Sequence, residues 1–314
     1  DDNHELRKSF FEANVRDYQG NNSVNSSIAE TLEGSGTEDF WWLNNGVTVL
    51  SADIKMITNK SLQVVNPEIV NGLQTSREIF NYFSNKKEKV NEDTRTILVR
   101  VINPKNEASR DNIIFSTNNQ TNVPKSSLRV TDNIHLQIET YFKNRGLYYD
   151  RRKNYYKNQK KKANEIISVS FLAQCLISLL LRKPDFARAR PSTLLTDQKT
   201  YKFLYEDNQN LEAYYKAAKI GRQAQHVLKS TGGMSTIEIN DILFYVIYAV
   251  IAAKLEKREL VFQDLAELNL HAIPDEYIVH VAGKIYNKYK QLGGNSKVAK
   301  SSIFIGEVYG LFGL

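Results

Sequence analysis

The chain changes its hydrophobic period once, and that change limits the folds open to it. From about residue 163 every apolar run has helical spacing. "NEIISVSFLAQCLISLLLRK", "LEAYYKAAKIGRQAQHVLKS", "STIEINDILFYVIYAVIAAKLEK" and "PDEYIVHVAGKIYNKYKQLGG" follow one another with a period near 3.6. Their ends carry matching signals. Ser235 with Glu238 three residues on is a capping box, the fourth run has proline near its start, and glycine pairs follow the second and fourth runs. Before about residue 130 short β-like runs alternate with helical ones. "FWWLNNGVTVLSADIKMI" predicts a strand, a turn at Asn44-Asn45-Gly46 and a second strand. "SLQVVNPEIV" predicts an extended pair broken by Pro67, and "TRTILVRVIN" a strand ended by Pro104. "LQTSREIFNYFSN" reads as a helix with Ile79, Phe80 and Phe83 on one stripe, and "SRDNIIFSTNNQ" as a helix running into an amide-rich loop. The expectation is an α+β fold: a mixed-sheet N-terminal half followed by an all-helical C-terminal half. The boundaries drawn from texture are an α+β domain over 1–140, a basic junction over 141–165 and a helical domain over 166–314.

Length and apolar content set the class. With 314 residues and 41% hydrophobic content the chain has material for one large or two ordinary cores. The apolar run "ILFYVIYAVIAA" ends at Lys254 after about a dozen residues, where a membrane span needs roughly 20. No basic-then-apolar leader opens the sequence. The lone Cys175 lies in "FLAQCLISLLL" and reads as a small buried hydrophobe. A chain that cannot form an internal disulfide points to a reducing compartment. A cytoplasmic protein without a membrane partner is expected. The opening "DDNHELRKSF", without an initiator methionine, leads to the expectation that the chain is a fragment of something longer.

Charge is concentrated. Nine of the 42 basic and two of the 35 acidic residues fall within 141–165, so the remaining 33 of each sign balance and the window carries the whole net charge of +7. Its lysines and arginines alternate with Tyr148, Tyr149, Tyr155 and Tyr156, as phosphate contact with base stacking requires. Arg151, Arg152, Lys153, Tyr155, Tyr156, Lys157, Lys160, Lys161 and Lys162 are the candidate nucleic-acid contacts. A solvated lysine-rich loop is the structural alternative.

The second candidate site is the strand-to-helix junction "IVNGLQTSRE". If strand ends at Val70 and helix starts near Gln74, the free N–H groups of the first turn point into the junction. Gly72 admits a positive φ or a close approach. Thr75, Ser76 and Arg77 add hydroxyls and a guanidinium, a set suited to an anion. A capped turn with Arg77 in water is the alternative. Two more amide clusters, Asn44-Asn45-Gly46 and "STNNQTNVPKS" with Asn118, Asn119 and Gln120, also stand at the ends of apolar elements. Amides donate and accept at once, so they suit base edges, and a single sheet edge is where the three would meet. The candidate nucleotide or phosphate set is therefore Asn44, Asn45, Asn71, Gly72, Gln74, Thr75, Arg77, Asn118, Asn119 and Gln120.

Other chemistry is not indicated. The five histidines are scattered, with His271 and His280 nine apart, so no metal site is expected. There is no GxxxxGK[ST] loop and no GxSxG elbow. His135 and Glu139, four apart on a helix, read as a surface or core pair. Asp150 with Gln159-Lys160-Lys161 lacks the buried strand that a nuclease metal site needs. The residues name no cofactor.

Taken in order, "LRKSFFEANVRDYQGNNSVNSSIAETL", "FWWLNNGVTVLS", "NPEIVNGLQTSREIF", "TNNQTNV" and "YYDRRKNYYKNQ" resemble the AIPR family, named for abortive-infection phage-resistance proteins. The resemblance runs from about residue 6 to at least 160, and "ARARPSTLLTDQKTYKFLYED" at 187–207 extends it. It implies a role in bacterial antiphage defence, among genes for restriction-like proteins that would be its partners. Longer members carry a region resembling restriction endonucleases ahead of the FFEANVR motif, so no nuclease activity carries over to these residues. The element "IVNGLQTSR" is also distantly similar to DGQHR-type and ParB-like proteins, where a glycine turn before a helix lies at a phosphate or nucleotide site. That similarity implies Asn71, Gly72, Gln74 and Thr75 as site positions, with Arg77 near the phosphate. Thr75 and Ser76 stand where DGQHR has histidine and arginine. The leading expectation is a nucleic-acid- or nucleotide-binding module of an abortive-infection system, with DNA, RNA or a nucleotide as ligand. The alternatives are a nucleotide hydrolase or nuclease subunit whose cutting domain lies elsewhere, and a protein-interaction scaffold. Self-association into a homo-oligomer is a further expectation.

Overall fold

A computed structural model of the chain describes residues 7–11, 14, 18, 20, 22–34, 38–118 and 132–314. It is α+β, with small sheets in the N-terminal part and mostly helices in the remainder. The chain forms two compact units: residues 1–131 with 152–160, and residues 132–151 with 161–314. The segment 141–165, expected as a junction, is thus divided between them, and the helix over 133–143 belongs to the second unit.

The first unit holds α1 (Ser23–Glu33), β1 (Val47–Leu50), β2 (Asp53–Thr58), β3 (Ser61–Val65), β4 (Glu68–Asn71), α2 (Leu73–Asn85), β5 (Val99–Ile102) and α3 (Glu107–Asn118). Its three-stranded sheet has the order β4-β1-β5, with β1 antiparallel to β4 and parallel to β5. The sheet is mixed, as expected. The run "VTVLSADIKMI" is two strands in different sheets rather than one. Ser51 makes the break: its buried hydroxyl donates to the Asp53 and Val65 carbonyls at 2.6 and 2.9 Å and accepts from the Val65 N–H. β2 and β3 then pair as a separate antiparallel hairpin. "FWWLNNG" is not a strand either. Phe40–Trp42 is a 3-10 turn, with Phe40 buried and the Trp42 N–H bonded to the Asp39 carbonyl.

On α2 the buried residues are Thr75 and Glu78, not the stripe of Ile79, Phe80 and Phe83. Those three are half-buried, so the most covered positions of the helix are two hydrogen-bonding residues beside a partly covered apolar stripe.

The second unit opens with α4 (Asn133–Lys143) and β6 (Tyr148–Asp150), and a short α5 (Tyr155–Asn158) in the intervening excursion belongs to the first unit. β7 (Ile166–Ser168) pairs in parallel with β6, so the run read as one helix from Asn164 begins as strand. α6 (Val169–Leu181) starts only after Ser168, whose hydroxyl caps it. Then come α7 (Pro184–Ala189), α8 (Pro191–Thr196), α9 (Gln198–Leu204), α10 (Leu211–Ser230), α11 (Thr236–Leu255), α12 (Phe262–Glu267), α13 (Asp275–Gln291) and α14 (Ser302–Phe312). α7 and α8 each begin with proline at the first position, where its missing N–H costs nothing. The capping box of α11 forms as predicted, with the Ser235 N–H donating to Glu238 at 2.8 Å and the Glu238 N–H to Ser235 at 3.3 Å.

By length and composition α11 is the one described helix apolar enough to cross a membrane. It is instead the central helix of this unit. Every residue from Asp241 to Ala252 is buried, and α6, α10, α13 and α14 pack around it. Asp241 on that helix is fully buried and fully paired. Arg188 donates to it at 2.9 and 3.0 Å, the Tyr289 hydroxyl at 2.9 Å and the Ser296 hydroxyl at 2.9 and 3.1 Å. A buried charge persists only with such partners.

Candidate functional site

The end of β4 and the start of β1 lie at one edge of the sheet, because the two strands run antiparallel with Thr48 opposite Asn71. The loop before β1 and the turn after β4 therefore meet. Gly72 packs on Gly46 and Val47 there, and Gly46 in turn packs on Leu98, the residue before β5. Gly46 has φ +70°, and a Cβ there would fall 2.1 Å from the Leu98 carbonyl oxygen. Gly72 has φ +104°, and a Cβ there would fall 2.8 Å from both the Gly46 carbonyl oxygen and the Val47 Cα. Both positions demand glycine twice over, for conformation and for space.

Around this contact the amides do different work. Asn44 Oδ1 accepts from the Gly46 N–H at 2.8 Å and from the Thr75 hydroxyl at 3.2 Å. That single oxygen joins the NNG loop to the first turn of α2. Asn45 is exposed. Asn71 Nδ2 donates to the Thr117 carbonyl, and Asn118 Nδ2 donates to the Val70 and Ile114 carbonyls at 2.9 and 2.8 Å. These two amides fasten the end of α3 to the end of β4, which is a structural task. Asn119 and Gln120 lie outside the described residues. Three amide clusters thus converge on one edge through Asn44, Asn71 and Asn118.

The N-terminus of α2 opens onto the same edge. Gly72 is its cap residue, and no side chain caps it. The cap residue of this 13-residue helix thus offers no side-chain acceptor, and the positive end of the helix macrodipole lies at the same place. Behind it sits a polar cluster that the sequence reading did not single out. Asn25 is buried, and its Nδ2 donates to Gln74 Oε1 at 3.0 Å and to the Gly20 carbonyl at 2.6 Å. The Gly20 carbonyl can only accept, so the amide orientation is fixed. Asn25 Oδ1 is left buried with no hydrogen-bond partner. The Tyr18 hydroxyl donates to buried Glu78 at 2.5 Å, and Arg77 lies over the Tyr18 ring, 5.6 Å from its centroid. Burial, and then the Glu78 carboxylate, push the Tyr18 hydroxyl above its ordinary pKa. Tyr18, Asn25 and Glu78 carry no motif of their own. The only signal was their place in the stretches "VRDYQGNNSVNSS" and "QTSRE".

The basic segment separates into two sets. Arg151 and Arg152, expected at phosphate, are only 3% and 6% exposed. In the second unit Arg151 donates to Glu139 at 2.9 Å. In the first unit Arg152 stacks 3.9 Å from the Tyr155 ring centroid, and Tyr155 meets the buried Tyr156 edge to face. These side chains organise the turn rather than face solvent. Lys161 lies over Tyr148, 4.6 Å from its centroid, within the second unit. Lys153, Lys157, Lys160 and Lys162 are exposed. Asn158 Nδ2 donates to the Tyr18 carbonyl at 2.9 Å, so the excursion bearing Lys153, Lys157 and Lys160 is fastened to the residue that flanks Arg77 and Glu78.

Elsewhere the titratable groups are structural. His135 is fully buried between the hydroxyls of Tyr149 at 2.8 Å and Tyr201 at 3.0 Å, and the Tyr201 hydroxyl also donates to Asp132 at 2.7 Å. Burial, with a smaller push from Arg151, lowers its pKa to about 3. Burial raises the Cys175 thiol to about 12, so it is an inert core group. Among the described residues no three His, Cys, Asp or Glu side chains converge as a metal cluster would require.

The family model described as AIPR protein matches residues 11–298, which includes every element of the converged edge and of the basic excursion. The chain belongs to the AIPR family. Membership implies a part in abortive-infection defence against phage. No curated protein and no solved structure matches the chain.

Proposed function

We propose that this AIPR protein acts in phage defence by binding a phosphate-bearing ligand, a nucleotide or a nucleic acid, at the glycine-lined edge of its N-terminal unit. One observation carries the reading: α2 is capped by Gly72, which has no side chain to cap it and which the close approach of the Gly46 carbonyl and Val47 keeps as glycine. A helix start whose cap residue carries no side-chain acceptor favours an anion through its macrodipole. The Thr75–Asn44 hydrogen bond ties the NNG loop to this helix start, and Gln74 is bonded to the buried Asn25. Asn71 and Asn118 contribute by holding this edge together rather than by touching ligand. Lys153, Lys157 and Lys160 supply further phosphate contacts, while Arg151 and Arg152 do not.

A thermal-shift screen against ATP, CTP, GTP, short single strands and short duplexes, with and without Mg²⁺, tests the reading. The expected result is stabilisation by at least one phosphate-bearing ligand that is lost in Gln74→Ala. No stabilisation by any of them, or stabilisation unchanged in Gln74→Ala, contradicts it.

A further inference from the structure

The chain holds two Asn-Gly sequences, Asn45-Gly46 and Asn71-Gly72, and the fold treats them in opposite ways. Asparagine is thermally labile, most of all where glycine follows it. The peptide nitrogen of the next residue attacks the side-chain carbonyl carbon, and glycine has no Cβ to shield that nitrogen. Both sequences meet this requirement, so what separates them is how firmly each side chain is held.

Asn71 is clamped. It ends β4 opposite Thr48, it is half-buried, and its Nδ2 donates to the Thr117 carbonyl. Its carboxamide reaches the Gly72 nitrogen only after that clamp opens. Asn45 is not clamped. It is exposed in the loop before β1, and its side chain bonds to none of the described residues, so its carboxamide is free to change rotamer. The nitrogen it meets is fixed instead: the Gly46 N–H donates to Asn44 Oδ1 at 2.8 Å. A hydrogen bond from that N–H lies close to the peptide plane, whereas the carbonyl carbon approaches from above or below the plane.

We propose that Asn45 is a self-modification site: the Gly46 nitrogen closes on Asn45 Cγ, and the loop at the glycine-lined edge acquires a carboxylate in place of an amide. The N–Cγ bond forms as the Gly46 nitrogen gives its proton to solvent base. The Cγ–Nδ2 bond breaks, and Nδ2 takes a proton from water and leaves as ammonia. Water then opens the cyclic imide at either carbonyl, giving aspartate or, with the main chain routed through Cγ, isoaspartate. No oxidant or reductant takes part. Because the attacking nitrogen has to lose its proton, conversion speeds up as pH rises. Either product sets a negative charge one residue from Asn44, the amide bonded to the first turn of α2. Isoaspartate also lengthens the backbone just before Gly46, where a Cβ would already fall 2.1 Å from the Leu98 carbonyl oxygen.

The full chain is aged at mildly alkaline pH in heavy-oxygen water and mapped by peptide mass spectrometry, with the urea-unfolded chain aged alongside. In the folded protein the expected result is exchange of amide for acid at Asn45, with one heavy oxygen per event and both isomers present. Asn71 converts about ten-fold or more slowly, because it waits on local opening. In urea, where no clamp survives, the two convert at similar rates. Asn45→Gln, whose longer side chain has to close a larger ring, keeps the urea midpoint of the wild type and loses conversion in this peptide. An Asn45 that stays intact in the folded protein while the unfolded chain converts overturns the proposal. So does conversion of Asn71 at the rate of Asn45, aspartate formed without isoaspartate, or conversion that persists at Asn44 in Asn45→Gln.

Discussion

At the scale of single residues, two positions report on conformation and on burial. Gly72 holds φ +104° with a neighbouring carbonyl 2.8 Å from where a Cβ would stand. Gly72→Ala is expected to lower stability by about 1–3 kcal/mol from backbone strain alone, with the clash adding to it. The urea midpoint measures this, and a wild-type midpoint would mean that the turn is not under the constraint described. His135 reports on burial. Its pKa is about 3 when folded, against 6.5 in an unfolded chain. The unfolded state therefore binds a proton that the folded state refuses. Stability from this residue is fully present above pH 6.5 and falls by about 1.4 kcal/mol per pH unit as pH drops from there towards 3. Proton NMR should find that the His135 imidazole does not titrate between pH 5 and 8. Titration near 6.5 would show that the ring is solvated.

At the scale of elements, what holds each helix in place determines what breaks it. The buried stretch of α11 from Asp241 to Ala252 has one charged residue, Asp241, which gathers Arg188, Tyr289 and Ser296. Asp241→Ala leaves a guanidinium and two hydroxyls facing an apolar helix and is expected to cost about 3–5 kcal/mol. Chemical denaturation checks this, and a loss under 1 kcal/mol would show that the network is dispensable. The same elements show how much was legible in advance. α2, α10 and the capping box of α11 follow from local spacing and cap chemistry, which act within a few residues. β7 was hidden because its partner β6 lies 18 residues earlier in sequence, and pairing at that range leaves no local trace. The burial of Thr75 and Glu78 on α2 was likewise invisible. Its stripe of Ile79, Phe80 and Phe83 is as regular as that of any buried helix, and only the positions of Tyr18, Asn25 and Asn44 show why Thr75 and Glu78 are the covered residues. The edge where the amides meet was conjectured from three separate turns. Its division of labour, with Asn71 and Asn118 structural and Asn44 a bridge, needed coordinates. Arg151 and Arg152 illustrate the limit of charge counting: two of the nine basic residues in the densest window are buried.

At the scale of the whole molecule, the segment that carries the net charge of +7 turns mainly lysines to solvent, because Arg151 and Arg152 are buried. Replacing Lys153, Lys157 and Lys160 together by glutamine is expected to reduce the salt dependence of single-strand binding by about 2 in log–log slope, since each phosphate contact contributes about 0.7. Titrations at several salt concentrations measure the slope, and an unchanged slope would remove these lysines from the interface. The most direct test of the central claim is hydrogen exchange by mass spectrometry on the full chain, with and without a saturating short single strand. Slowed exchange at residues 44–46 and 72–76, with the α10 and α11 core unaffected, is the predicted result. Protection confined to other segments, with 44–46 and 72–76 exchanging as in the free protein, would contradict the claim that the glycine-lined edge is the ligand site.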